Sequence, residues 1–198
     1  MKKTTQKEAL TRLTVTAVFL ALSTVLSTQT VWKMPFGGSI TPLSMVPVCL
    51  ISVFYGVKYA VLPCLLYGAA QVFLGGVFGW GFSPSALIAC ILIDYIAAYG
   101  MLCFAGILRK KKYGMVLGVA VACILRLVCH IVSGVVIFDS LVKLSFLSED
   151  LYNRVHQNMF LYSLVYNCVY MLPETVFTCI GVFLLSKSSA IKRLVKSI

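Results

Sequence analysis

Apolar runs long enough to cross a bilayer recur from one end of this 198-residue sequence to the other. About 18 such residues in a row span the ~30 Å hydrocarbon layer as a helix. Only a helix or a closed barrel satisfies its own backbone N–H and C=O groups there. Helices are predicted at about 8–29, 40–55, 58–74, 84–108, 114–137 and 159–186. The second is short, with Pro42 in its first turn and Pro47 inside it, so it is expected to tilt or to stop short of one face. With 60% hydrophobic and 12% charged residues, the chain has too little polar surface for a soluble globule. The predicted fold class is therefore an all-α integral membrane protein: a bundle of six transmembrane helices forming a single membrane domain over 1–198.

The net charge of +11 reads as membrane topology. Of 17 Lys and Arg, 13 fall beside one set of helix ends and three (Lys33, Lys143, Arg154) beside the other, Arg126 being inside a span. That bias puts both termini in the cytoplasm, and the loops around Trp32, around Trp80 and over 138–158 outside. No cleavable leader is expected, because the first apolar segment is too long for one. Nucleic acid is not an expected partner, since no basic patch is interleaved with aromatics. The eight cysteines lie in apolar segments without a C-x-x-C pair or histidines at metal-ligand spacing, and read as small packing residues. The loop G-G-V-F-G-W-G-F-S (75–83) lacks the Lys followed by Ser/Thr that ends a phosphate-binding loop.

Four ionisable side chains sit inside the spans: Asp94, Arg126, His130 and Glu174. An intramembrane charge costs roughly 2.5–3.5 kcal/mol on insertion scales, so such groups face a bundle interior or a cavity. The opening of the last span, Y-S-L-V-Y-N-C-V-Y-M-L-P-E (162–174), gathers Tyr162, Tyr166, Tyr170, Ser163, Asn167 and Glu174 within an arc of about 140°. Arg126, His130 and Ser133 share a face of the fifth helix through their i, i+4 and i+3 spacings. At ~1.5 Å per residue, Asp94, His130 and Asn167 lie about 10–15 Å below the outer ends, and Arg126 with Glu174 about 16–22 Å below. The expected arrangement is a cavity lined by Asp94, His130, Tyr162 and Asn167, floored by an Arg126–Glu174 ion pair and covered by Trp32, Trp80 and Phe138. Flat aromatic faces suit a heteroaromatic, cationic ligand, and a carboxylate beside an imidazole can pair with an aminated heterocycle.

Four stretches carry a resemblance: W-K-M-P-F-G-G-S-I-T (32–41), L-I-D-Y (92–95), R-L-V-C-H-I-V-S-G-V-V-I-F (126–138) and 162–174. With six spans they cover nearly the whole chain, which resembles the thiamine-specific substrate-binding subunits (S components) of energy-coupling-factor vitamin transporters. The resemblance implies high-affinity capture of thiamine from outside at a bacterial cell membrane. It implies delivery through a transmembrane coupling subunit and two cytoplasmic ATPase subunits. It implies no cofactor in this chain, ATP being used by the partners alone. Asp94 takes the place of the acidic group that meets the aminopyrimidine ring, followed by Tyr95. His130, Tyr162 and Asn167 match the pocket histidine, tyrosine and asparagine. Trp32 matches the aromatic of the first outer loop, Trp80 that of the third-to-fourth helix loop, and Phe138 stands where some members stack a tryptophan on thiamine. The Ala17-x-x-x-Ala21 spacing lets another helix approach closely, and in the family such a motif docks on the coupling subunit.

The alternative within transport is another small vitamin or a thiamine precursor, hydroxymethylpyrimidine or thiazole. An intramembrane enzyme is disfavoured: Ser133 is on the same helix as His130, no G-x-S-x-G motif occurs, and no metal-ligand constellation is present. A secondary transporter working alone would call for repeated broken helices, which the sequence does not show.

Overall fold

The structure, a computed structural model, describes residues 5–138, 149, 153–154, 157–189 and 191, with Phe138 described at its backbone only. Helix α1 (Gln6–Ser27) starts at a reciprocal cap, in which the Thr5 hydroxyl accepts from the Glu8 amide and the Glu8 carboxylate accepts from the Thr5 amide. Strands β1 (Trp32–Lys33) and β2 (Ser39–Ile40) then pair antiparallel, Trp32 opposite Ile40 and Lys33 opposite Ser39. Helices α2 (Met45–Tyr55) and α3 (Val57–Gly75) follow. Helix α4 covers Pro84–Gly106, α5 runs Gly114–Ser133 and continues as a π turn over Gly134–Phe138, and α6 is Met159–Lys187.

Five of these helices are long and apolar enough to cross a membrane; α2 is not, at 11 residues. At 1.5 Å per residue α2 is about 16 Å long, half the hydrocarbon thickness. The helix expected to begin at residue 40 begins at Met45. Residues 41–44 stay irregular, with Leu43 at φ 67, a left-handed conformation a branched side chain rarely adopts. An irregular turn thus leads from the β1–β2 pair down to α2 at the depth of the bundle. Irregular backbone at that depth is tolerated only where protein or a cavity satisfies its polar groups. The short helix is the core: Met45, Val48, Cys49, Ile51 and Val53 are fully buried. Around it α1, α3, α4 and α6 pack, and α5 packs on α4 and α6.

Two further departures position side chains. Helix α4 is not uniform: an α segment (Pro84–Cys90) widens into a π segment (Ile91–Ala97) and tightens into 3₁₀ turns (Met101–Gly106). π turns inside helices concentrate at functional sites, because the extra residue re-aims neighbouring side chains; this one carries Asp94 and Tyr95. Helix α1 meets the bundle through a polar seam. Thr16 bonds the Tyr59 hydroxyl (3.0 Å) and Ser23 Oγ accepts from the Val48 amide (3.0 Å), while most of its apolar side chains face outward.

Candidate ligand-binding cavity

One cavity enters the bundle from the end that carries the β1–β2 pair and the 75–83 loop, with ≈ 870 Å³ of space between its lining atoms, open solvent at the mouth included. Trp80, Asp94, Tyr95, His130, Tyr162, Asn167, Arg126 and Glu174 all line it. The cavity's formal charges are two carboxylates (Asp94, Glu174) and one guanidinium (Arg126), a net of −1 with His130 neutral.

Asp94 is the hub of one wall. Its carboxylate takes His130 Nδ1 at 2.8 Å, the Ser133 hydroxyl and, from the preceding turn of α4, the Cys90 thiol at 3.5 Å. The pairing fixes the imidazole so that Nε2 is left over, buried and without a hydrogen-bond partner among the described residues. A buried donor or acceptor without a partner costs roughly 1–3 kcal/mol, which a ligand atom at Nε2 would relieve. The opposite wall is α6. Asn167 Nδ2 donates to the His130 carbonyl (3.2 Å) and to the Ser163 carbonyl (2.9 Å), while its Oδ1 accepts from the Tyr170 hydroxyl at 2.8 Å. The carboxamide is thereby held in one orientation, with a second lone pair on Oδ1 to spare. Tyr162 and Tyr166 stack at 6.5 Å and 19°, and the His130 ring meets Tyr170 edge-on at 6.0 Å.

At the floor the structure corrects the expected ion pair. Arg126 and Glu174 both face the cavity, but neither is the other's partner. The guanidinium carbon sits 4.2 Å from the centre of the Tyr99 ring and Nη1 lies 2.7 Å from Met45 Sδ, leaving Nε without a hydrogen bond among the described residues. Glu174 accepts from the backbone amide of Thr41 and from the Thr41 hydroxyl (2.9 Å). The irregular chain entering α2 occupies the place where the ion pair was expected.

At the mouth, Phe36, Trp80 and Phe82 form a three-ring cluster, Phe36 edge-on to Trp80 at 5.9 Å and stacked on Phe82 at 6.2 Å. Gly37, at φ +93, presses on Trp80 so closely that a Cβ would fall 2.6 Å from the indole. Trp32 does not line the cavity: it stands on β1, 41% exposed. The Phe138 side chain, also placed in the site by sequence, lies outside the described residues. Ala17 and Ala21 are exposed on α1, beside Leu13, Val18 and Leu22. Sequence reasoning missed Phe36, Thr41, Gln71 and Tyr99, all of which line the cavity. Gln71, an amide inside an apolar span, was the signal available for α3.

The family described as Thiamine transporter protein (Thia_YuaJ) matches residues 13–194. The thiamine transporter ThiT of Bacillus subtilis (strain 168) is 30% identical over 207 residues, covering 97% of this chain and 97% of that protein. A solved structure of ThiT from Listeria monocytogenes shares the fold, with a TM-score of 0.72 at 22% identity over 95% of this chain and 98% of that one. The match to that family over most of the sequence, and the relative aligned nearly end to end, agree with the multi-pass architecture: this chain belongs to the thiamine transporter protein family and is a multi-pass protein of the bacterial cell membrane.

Proposed function

We propose that this chain is the thiamine-binding S component of an energy-coupling-factor importer: it captures thiamine at the outer membrane face and hands it to ATP-driven partner subunits, and is not itself an enzyme. The observation that carries the reading is the convergence of Asp94, His130 and Asn167 on one cavity of net charge −1. Thiamine is a permanent cation with a flat aminopyrimidine, so it matches both the charge and the aromatic lining. In this reading Asp94 and His130 Nε2 meet the aminopyrimidine, Asn167 Oδ1 and Tyr162 its remaining edge, and Tyr95 and Trp80 its ring faces. The cavity mouth faces outside and both termini are cytoplasmic, following the Lys and Arg distribution. The exposed Ala17–Ala21 strip of α1 meets the coupling subunit, where small residues allow close helix approach.

The test is titration of the purified protein with thiamine, read by quenching of tryptophan emission. Competition by the separate hydroxymethylpyrimidine and thiazole halves resolves which portion carries the affinity. Saturable quenching by thiamine, with weaker competition by either half, supports the assignment. No saturable response to thiamine, or tighter binding of a half than of the whole, overturns it.

A further inference from the structure

We infer that Glu174 is a positioning residue of the cavity: it tethers the 35–41 strap to α6 and so holds the wall that carries Phe36 and Gly37 against Trp80. The inference rests on the thiamine reading only where it concerns ligand release.

Tyr166, Tyr170 and Glu174 recur every four residues and form one stripe along α6. The strap runs along that stripe and meets it at three places, three residues apart in its own sequence. The Tyr166 hydroxyl donates to the Pro35 carbonyl. Gly38 lies against Tyr170 so tightly that a Cβ would fall 2.9 Å from the ring. Thr41 gives both its amide and its hydroxyl to Glu174.

The last contact differs in kind from the other two. Thr41 and Glu174 are 7% and 3% exposed, and the Thr41 amide belongs to irregular backbone with no helix or strand to satisfy it. Both groups are almost fully buried, so losing the carboxylate takes away the acceptor of the Thr41 amide and leaves only water in the cavity to replace it. The absence of a bond from Arg126 to Glu174 fixes the role further. What the strap uses is an oxygen acceptor at this position, and the negative charge is secondary. A glutamine retains that acceptor; an alanine does not.

The experiment uses the full chain in a Trp32→Phe background, which leaves Trp80 as the sole emitter of the two tryptophans. Because Gly37 presses on Trp80, acrylamide quenching of Trp80 in ligand-free protein reports strap docking. Stopped-flow dissociation of thiamine reports its effect on release. Glu174→Ala is expected to raise the quenching constant at least twofold and the dissociation rate about tenfold. Glu174→Gln is expected to stay within twofold of its parent in both. Thr41→Val, which removes one of the two donors, falls between them and serves if Glu174→Ala cannot be purified. Glutamine failing as badly as alanine, or both Glu174→Ala and Thr41→Val leaving Trp80 quenching unchanged, overturns the inference. The quenching arm needs no ligand, so a failure of thiamine binding in the parent would overturn the functional reading and leave this test standing.

Discussion

Asp94 has two uses that compete, and replacing it with asparagine separates them. The carboxylate already takes His130 Nδ1 and the Ser133 hydroxyl, yet it lines the cavity. In Asp94→Asn the new side chain would have nearly the same shape. Its carbonyl can accept from Ser133, and its amide can donate to His130 Nδ1 once the imidazole moves its proton to Nε2. The fold should therefore lose only about 1 kcal/mol, the size of an ordinary hydrogen-bond exchange. The ligand side loses more. A hydrogen bond to a charged partner contributes about 1.5–3 kcal/mol, which predicts a Kd for thiamine raised about 10- to 150-fold. The tautomer change adds to this, because Nε2 would then offer a donor where it had offered an acceptor. The assay pairs isothermal titration with thiamine against ligand-free thermal unfolding. A Kd within twofold of wild type together with a large fall in unfolding temperature would refute the reasoning, by showing that the carboxylate is spent on the α4–α5 contact alone.

Three further outcomes follow from the same geometry. Arg126→Met should leave ligand-free stability nearly unchanged, since losing a cation–π contact of about 2 kcal/mol is offset by removing a buried charge that has no carboxylate partner; thiamine affinity should hold or rise, and a tenfold loss in titration would mean the guanidinium touches the ligand. Gly38→Ala should weaken thiamine binding about tenfold, because the added methyl meets Tyr170 at 2.9 Å and overpacking costs roughly 1–3 kcal/mol; unchanged binding in the same titration would mean the strap yields freely. Ala17→Leu with Ala21→Leu should leave binding to the purified chain within twofold while cutting ATP-dependent uptake of radiolabelled thiamine in cells at least tenfold. Uptake that survives both changes would move the partner contact elsewhere.

The five long spans were legible because apolar length and charge bias are properties of single segments. So were Asp94, His130 and Asn167, whose polarity inside a span leaves few places to point. What escaped depended on contacts between distant segments. The sequence I-T-P-L-S (40–44) is apolar enough to extend a helix, and only its meeting with Glu174 shows that it does not. Arg126 and Glu174 match in depth and sign, which made an ion pair the economical reading; nothing local reveals that Thr41 and Met45 reach them first. Trp32 and Phe36 stand four residues apart in one loop, and a two-residue strand pair decides that Phe36 turns inward while Trp32 turns out.

The half-length α2 also constrains the order in which the molecule can be made. Its entering backbone is satisfied by a side chain 133 residues further along the chain. While the early helices leave the ribosome and enter the bilayer, the carboxylate that accepts from the Thr41 amide has yet to be synthesised. The bond that fastens the chain entering α2 therefore forms only after the last helix has arrived. Completion of the hollow is thus a late step of biogenesis, delayed until the carboxylate on α6 has been inserted.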